Sequence, residues 1–345
     1  MILSGFKDVC AHTFSNITIL DQSLIYLIKA LYMCVVLISK SFMILSGFKD
    51  QPEQWTGKGK VALVTGGDSG IGRSVCYHFA MEGATVAFTY VKGVEDIDAN
   101  DTLRIINESK VKGSGDPIAI PTDLRYSANC KDVVDEVIAK YGRIDVLVNN
   151  PAVQYYVYSY SLEEVTEERI ERIFRTNIFS YFFMTRHSLE HMKEGSTIIN
   201  TTSVLAYTAS QSSWLEYVST KGAIVSFTRA LALHLVEKKI RVNGVAPGPI
   251  WTPLQAAALN DEDIAIFGSQ VPMDRAGQPY EVAPSYVFLA SEQDSSYFTG
   301  QVLHPNGNKF SAHMQIYCCS LLKFLVLCLR YCVKIVIVFP SLQAG

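Results

Sequence analysis

The chain has 345 residues, a formal net charge of −3 and a sequence pI near 6.2. This length is enough for one large domain or two ordinary ones, each with a sizeable core. The near-neutral balance lacks the basic excess of nucleic-acid binders, so we expect no nucleic-acid partner. Charged residues make up only 18% of the chain, against roughly 25% in typical globular proteins.

The charge deficit is concentrated in two apolar flanks, which also hold six of the eight cysteines. The octapeptide MILSGFKD occurs at 1–8 and again at 43–50, directly before the first enzyme-like sequence. Two copies are too few for a repeat architecture. We therefore predict one folded domain over 51–308, and interpret 1–50 and 309–345 as hydrophobic extensions introduced by a gene model or splice variant.

Membrane attachment is the alternative interpretation of the flanks. The apolar stretch 321–339 contains Lys323, Arg330 and Lys334. Each charge would cost about 2.5–3.5 kcal/mol near the centre of a bilayer. We therefore expect a cytoplasmic protein, a location that also fits the two isolated cysteines of the central region. A membrane-associated enzyme anchored by this tail remains as the alternative.

From Lys60 onward, short apolar runs alternate with amphipathic stretches. This alternation predicts right-handed βαβ units, and the continuous apolar runs predict strands buried on both faces. The expected fold is α/β, a doubly wound parallel sheet of the Rossmann type in a single domain. The predicted strands are 60–65, 84–90, 117–123, 144–150, 196–203, 240–248 and 300–305, and the predicted helices are 71–81, 96–110, 126–140, 166–193, 214–237 and 279–291.

The glycine-rich sequence TGGDSGIG, at 65–72, lies between the first predicted strand and the first predicted helix. Gly66, Gly70 and Gly72 permit positive φ angles or close approach of a ligand to the backbone. The N–H groups that begin the helix favour a phosphate. A tight connection without a ligand is the alternative, but the position after strand one favours dinucleotide binding.

The residues at the end of the second strand bear on the choice of cofactor. NAD-binding domains of this kind carry an acidic residue there, about 20 positions after the glycines. This chain has Tyr90, Val91 and Lys92, and Glu95 comes slightly later. With Arg73 nearby, the sequence predicts that NADP(H) is preferred and that NAD(H) is possible. The alternative is that Arg73 and Lys92 are simply solvated.

The sequence YVSTK places Tyr217 and Lys221 four residues apart, on one face of a predicted helix. A phenol has a pKa near ~10, and a neighbouring ammonium group favours the phenolate. Such a pair suits proton transfer to or from an alcohol oxygen. Ser203, at the end of the fifth predicted strand, adds a hydroxyl that can hydrogen-bond to a reacting carbonyl.

Together with NN at 149–150, FRTNIFS at 174–180 and APGPIWTP at 246–253, these motifs resemble the short-chain dehydrogenase/reductase family, in particular the plant glucose and ribitol dehydrogenase homologues. The resemblance covers 51–308. It implies hydride transfer between a nicotinamide cofactor and a secondary alcohol, polyol, sugar or other carbonyl compound, without a metal. It also implies a homotetramer or homodimer.

The resemblance implies roles for individual residues. Tyr217 would be the general acid/base, Lys221 would lower its pKa and hold the nicotinamide ribose, and Ser203 would orient the substrate oxygen. Asn177 would anchor a proton relay through water. Asp123 would contact the adenine, and the other implied cofactor contacts are Thr65, Gly66, Ser69, Gly70, Ile71 and Gly72 at the pyrophosphate, Asn149 and Asn150 at the adenosine ribose, and Pro247, Gly248, Ile250 and Thr252 at the nicotinamide.

Two features depart from the family pattern. Pro151 follows Asn150 where the family usually has alanine, and proline removes a backbone N–H. Ser203 precedes Tyr217 by 14 positions, whereas 13 is usual, which implies one inserted residue on the substrate side. A cofactor-binding protein with weak or lost catalysis is therefore a further alternative.

Overall fold

The computed structural model describes residues 57–155, 162–208 and 214–308. Within these ranges seven strands form one parallel sheet, which confirms the predicted fold class. The strands are β1 (Val61–Val64), β2 (Thr85–Tyr90), β3 (Ile118–Pro121), β4 (Val146–Asn149), β5 (Thr197–Thr201), β6 (Arg241–Val245) and β7 (Val302–Leu303).

The strand order is β3-β2-β1-β4-β5-β6-β7. Val64 of β1 lies opposite Phe88 of β2 on one side and Val148 of β4 on the other. The chain winds outward in both directions from this point, so the loops after β1 and β4 diverge. A crevice opens there at the carboxyl ends of the strands, where sheets of this type bind ligands.

Helices cover both faces of the sheet. They are α1 (Gly70–Met81), α2 (Asp96–Ser109), α3 (Ser127–Tyr141), α4 (Glu167–Phe174), α5 (Ser180–Ser188), α6 (Leu205–Thr208), α7 (Leu215–Leu235), α8 (Pro253–Ala258), α9 (Asp261–Ala265), α10 (Pro279–Ala290) and α11 (Glu292–Ser295). Within the described residues, no helix combines the length and the apolar character that a bilayer crossing requires.

The core has two layers because successive strand side chains point to opposite faces. Ala62 and Val64 of β1 belong to the cluster that includes Phe79 of α1. Leu63, between them, belongs to the opposite cluster, which includes Met184 of α5. Burying each large side chain contributes roughly 1.5–3 kcal/mol, so apolar strands of this kind hold the sheet between its helices.

The single helix predicted over 166–193 is interrupted. A π-helical segment, Arg175–Phe179, lies between α4 and α5, and the regular helix ends at Ser188. Such segments insert one residue into a helix and are frequent at functional sites. Asn177 is the central residue of this segment, so the interruption sets the position of its side chain.

The interpretation of 1–50 and 309–345 as extensions falls outside the described residues, as does the apolar stretch 321–339.

Cys76 and Cys130 are both buried free thiols.

Candidate active site

A cleft of about 490 Å³ opens at the carboxyl ends of the strands. This volume lies within the ~300–1,000 Å³ range of small-molecule sites. Its lining begins at the glycine turn after β1 and includes residues after β3, β4, β5 and β6. The cleft therefore brings together the motifs that lie far apart in the sequence.

The glycine turn leaves backbone exposed to the cleft. Gly66 and Gly70 have φ angles of +62° and +52°, in the left-handed region that favours glycine. A Cβ on Gly72 would lie 1.9 Å from the Gly66 carbonyl oxygen, so a side chain cannot be accommodated there. Among the described residues, the N-cap Ser69 makes no side-chain capping bond to α1. The first N–H groups of α1 are therefore suited to an anionic ligand.

Two predicted cofactor contacts lie beneath this surface and position it. Thr65 Oγ1 donates to the Val148 carbonyl at 3.0 Å and accepts from the Asn150 N–H at 2.9 Å. Asn149 is fully buried and donates to Asn200 Oδ1 at 2.9 Å. Asn150 lines the cleft, whereas Asn149 is not among the described residues that do.

Asp123 lines the cleft after β3, as the resemblance implied. Its carboxylate accepts from Arg125 Nε at 2.9 Å and from Nη2 at 2.5 Å. These hydrogen bonds lower the pKa of Asp123 from its ordinary value. Asp123 is therefore held as an anion at the end of the cleft that faces β3.

Arg73 points away from the position that the sequence predicted. Its Nε donates to the Asp68 carbonyl at 2.7 Å and to Thr102 Oγ1 at 2.9 Å. Its Nη2 pairs with Asp98 at 2.7 Å, and Asp101 accepts from Nη1. The acceptors on α2 hold the guanidinium, so among the described residues Arg73 is not part of the cleft lining.

Two acidic residues line the cleft near the end of β2. Asp68, within the glycine turn, is 3% exposed, and burial raises its pKa. Glu95 turns back to accept from the Val91 N–H at 2.6 Å, and burial raises its pKa as well. Lys92 is exposed beside them and borders a separate shallow groove. The sequence analysis missed Asp68, whose signal was an acidic residue inside a phosphate-binding turn.

Ser203, Tyr217 and Lys221 are brought together as predicted. Ser203 and Tyr217 both line the cleft, and the Ser203 side chain acts on the Tyr217 phenol closely enough to lower its pKa. Lys221 Nζ lies 5.4 Å from the centroid of the Tyr217 ring and donates to the Thr201 carbonyl at 3.2 Å. The 14-residue spacing has therefore not separated the pair, although 209–213, within the connecting segment, lies outside the described residues.

Burial dominates the electrostatics of this group. It raises the pKa of Tyr217 to about 12, and the hydrogen bond with Ser203 offsets only part of that rise. Burial lowers the pKa of Lys221 to about 7. The sequence predicted that an ammonium group, helped by a positive nicotinamide, lowers the pKa of Tyr217. In the chain alone burial acts in the opposite direction, and the lowering stays a prediction for the cofactor complex. An additional positive charge beside the phenol is needed to favour the phenolate.

Asn177 connects the loop after β4 to α7. Its Oδ1 accepts from the Val153 N–H at 2.8 Å, and its Nδ2 donates to the Val153 carbonyl at 3.0 Å. Nδ2 also lies 3.3 Å from Thr220 Oγ1. These bonds use the amide to fix the loop, and the role of Asn177 in a water relay stays a prediction.

The loop after β6 supplies the remaining predicted contacts. Pro247, Gly248, Ile250 and Thr252 all line the cleft. A Cβ on Gly248 would lie 2.7 Å from Asn306 Cα, so glycine permits this close approach of two backbones. No cluster of three or more His, Cys, Asp or Glu side chains suited to a metal ion occurs in the described parts of the chain.

The strand order, glycine turn and cleft define a Rossmann-type dinucleotide-binding domain that carries a serine, a tyrosine and a lysine at its switch point. The family model described as Enoyl-(Acyl carrier protein) reductase matches residues 66–307. The chain is 69% identical over 250 residues to NADPH-dependent aldehyde reductase 1, chloroplastic, of Arabidopsis thaliana, covering 72% of this chain and 86% of that protein. It is 64% identical over 250 residues to glucose and ribitol dehydrogenase of Daucus carota, covering 72% and 84%.

Solved structures agree with the fold. A blue fluorescent protein from a metagenomic library, in complex with NADPH, is 33% identical with a TM-score of 0.66, covering 74% of this chain and 99% of that one. A short-chain dehydrogenase from Burkholderia cenocepacia, in complex with NADP, is 29% identical with a TM-score of 0.66, covering 73% and 98%. The chain belongs to the short-chain dehydrogenase/reductase family.

Proposed function

We propose that this protein is an NADP(H)-preferring oxidoreductase that interconverts an alcohol, polyol or sugar with the corresponding carbonyl compound. The placement of Ser203, Tyr217 and Lys221 in one cleft is the observation that carries this proposal. The three lie in the same cleft as the glycine turn, with the Lys221 amine beside the phenol. The names of the plant relatives, an aldehyde reductase and a glucose and ribitol dehydrogenase, support this reaction class.

The glycine turn fits a dinucleotide because Gly66 and Gly70, at positive φ, expose backbone to the cleft and because the first turn of α1 presents its N–H groups. Gly66, Ser69 and Ile71 would hold the pyrophosphate, and Ile250 and Thr252 would hold the nicotinamide end. The bound cofactor would supply the nicotinamide carbon that gives or accepts the hydride.

The residues of the chain would hold the substrate and move its proton. The Ser203 hydroxyl would hydrogen-bond to the substrate oxygen. The Tyr217 O–H would donate its proton to that oxygen during reduction and recover it during oxidation. Lys221 would hold the ribose hydroxyls of the cofactor. The positive charge of its ammonium group and of the oxidised nicotinamide, beside the phenol, would bring the pKa of Tyr217 down from about 12.

The preference for NADP(H) rests on other groups than Arg73, which is paired with α2. Lys92 is exposed at the end of β2 and would meet the 2′-phosphate of NADP(H). Similarity to an NADPH-dependent aldehyde reductase and to structures in complex with NADPH or NADP supports this preference.

The rival interpretations are less well supported. Loss of catalysis was suggested by Pro151 and by the serine spacing, but Ser203, Tyr217 and Lys221 still line one cleft. We propose that the enzyme is contained in 51–308, since the family match ends at residue 307. Cytoplasmic location stays a prediction, and one relative is named chloroplastic.

A homodimer or homotetramer is proposed on the surface formed by α5 and the preceding π-helical segment. Phe179 and Phe182 there are 40% and 49% exposed. Exposed aromatic side chains of this size are typical of protein–protein contacts.

The test uses the full-length protein. NADPH oxidation is measured with aldehydes and ketones, and NADP⁺ reduction with polyols and sugars. Tyr217→Phe should reduce kcat at least about 100-fold, as expected when a general acid is removed. Tyr297→Phe, at a side chain that is 99% exposed, is the matched control and should leave kcat unchanged. Binding of NADPH without turnover of any substrate would contradict the proposal, as would full activity in Tyr217→Phe.

A further inference from the structure

Gln154 is a buried polar residue in the cleft that neither the glycine turn nor the tyrosine group uses. Its side chain is 8% exposed and lines the cleft. Its Nε2 is buried and, within the described residues, has no hydrogen-bond partner. Buried amide donors are nearly always paired in folded proteins, so an unpaired donor that lines a ligand cleft indicates a partner on the ligand.

The backbone beside Gln154 is held rigidly with respect to Tyr217. Asn177 hydrogen-bonds to both the N–H and the carbonyl of Val153. The same amide reaches Thr220 Oγ1, and Thr220 Oγ1 donates to the Tyr217 carbonyl at 2.7 Å. The Gln154 side chain is therefore held in place, because the preceding residue, Val153, is hydrogen-bonded to Asn177, which connects to α7.

A second amide in the cleft is also unsatisfied. Gln255 of α8 has a buried Oε1 that lacks a hydrogen-bond partner among the described residues. The cleft thus offers one unpaired donor and one unpaired acceptor, from segments that follow different strands. A hydroxyl group both donates and accepts, so it can satisfy groups of both kinds, whereas an alkyl chain satisfies neither.

Apolar side chains line the same cleft as these amides. Val204, Leu205, Leu254 and Val271 line the same cleft. In apolar surroundings an unpaired amide is poorly solvated, so a ligand without an oxygen leaves it unpaired in the complex. Sites built to hydrogen-bond a substrate hydroxyl reject the analogue that lacks it far more strongly than apolar pockets reject an extra group.

We propose that Gln154 donates a hydrogen bond to an oxygen carried on the carbon next to the reacting carbonyl. The substrates selected by this site are hydroxyaldehydes and the polyols that correspond to them, in preference to plain alkyl aldehydes. This proposal rests on the proposed function. It deepens that function by assigning substrate choice to one residue that does not take part in proton transfer.

The experiment compares glyceraldehyde with propionaldehyde, which differ in their hydroxyl groups, in NADPH oxidation by the full-length protein. The wild type should favour glyceraldehyde in kcat/KM by about tenfold or more. Gln154→Met, which keeps the length but removes the donor, should reduce kcat/KM for glyceraldehyde by a similar factor and leave that for propionaldehyde unchanged. Gln154→Leu, which also removes the donor, gives the same comparison if the methionine variant does not fold.

Gln301→Met is the matched control, because Gln301 is exposed and lies outside the described cleft lining. An unchanged glyceraldehyde-to-propionaldehyde ratio in Gln154→Met would overturn the proposal while leaving the proposed function intact.

Calorimetric titration of ribitol into the NADPH-loaded protein gives a second measurement without turnover, because an alcohol and the reduced cofactor cannot react. Weaker ribitol binding in Gln154→Met, by about tenfold, supports the role of Gln154 even where no substrate is turned over. Weaker ribitol binding in the variant, together with no turnover of any substrate, would contradict only the proposed function. Equal ribitol binding by wild type and variant would overturn the role of Gln154.

Discussion

The side chain of Asn177 binds the backbone of Val153 at two points, accepting from its N–H at 2.8 Å and donating to its carbonyl at 3.0 Å. An asparagine amide used in this way replaces a pair of strand hydrogen bonds and fixes a loop that has left the sheet. The loop carries the cleft residues that follow β4, and Thr220 connects the same amide to the helix of Tyr217.

Replacing Asn177 by alanine should therefore affect both stability and catalysis. The Val153 N–H and carbonyl lose their partners, and the loss should lower the free energy of unfolding by about 1–3 kcal/mol. The kcat/KM for a carbonyl substrate should fall because the loop moves relative to Tyr217. Urea unfolding and steady-state kinetics measure the two effects. Asn107→Ala, at an exposed asparagine of α2, is the control and should change neither.

Gly72 and Gly222 are both helical glycines, and their environments predict opposite results for alanine. A Cβ at Gly72 would overlap the Gly66 carbonyl at 1.9 Å, whereas no described atom lies within 4 Å of a Cβ at Gly222. Gly72→Ala should distort the turn and reduce NADPH affinity at least about tenfold. Gly222→Ala should raise the free energy of unfolding by about 0.5–1 kcal/mol. Fluorescence titration with NADPH measures the affinity, and thermal unfolding measures the stability. Equal NADPH affinity in the two variants would argue against the turn as the binding site.

The sequence predicted the sheet well because its signals are local. Runs such as VALV at 61–64 and VLV at 146–148 are apolar throughout, and the glycine turn marks the first crossover. It also predicted the positions of Ser203, Tyr217 and Lys221, since they depend on the ends of those strands and on one helical spacing. The π-helical segment around Asn177 could not be predicted, because inserting one residue into a helix leaves its apolar pattern nearly unchanged.

Features that depend on tertiary contacts were missed or mistaken. The side-chain partners of Arg73 lie 25 or more residues away on α2, so its pairing there could not be predicted without the packing of those helices. The direction of the Tyr217 pKa depends on complete burial, which a helical spacing does not encode. Gln154 follows no periodic pattern, and only its unpaired Nε2 in the folded chain distinguishes it.

Arg73 and Lys92 should differ sharply in their effect on cofactor choice. Lys92→Ala should reduce the preference for NADPH over NADH by about tenfold or more, because a hydrogen bond to a charged group contributes roughly 1.5–3 kcal/mol. The stability of the Lys92→Ala variant should be unchanged. Arg73→Ala should instead lower the free energy of unfolding, because it removes the hydrogen bonds that the guanidinium donates to the Asp68 carbonyl and to acceptors on α2. The kcat/KM ratio of the two cofactors is the measurement, with Lys112→Ala as an exposed control. Loss of the preference in Arg73→Ala alone would reverse the assignment.

Lys221 should make the stability of the cofactor-free protein depend on pH. Burial lowers its pKa from 10.5 to about 7 in the folded protein. Between these values the unfolded chain holds one proton more than the folded chain, so stability rises with pH by up to about 1.4 kcal/mol per unit. The contribution is complete above pH 10.5 and is lost as the pH falls through 7.

Lys221→Met should remove this slope between pH 7.5 and 9.5, a window below the range in which Tyr217 titrates. Urea unfolding at several pH values, compared with the wild type, gives the difference directly. Lys131→Met is the control, because Lys131 is exposed and pairs with Asp135 at the surface. Its slope should match that of the wild type. Parallel pH dependences for Lys221→Met and the wild type would show that Lys221 stays charged in the folded protein, with a partner other than the Thr201 carbonyl.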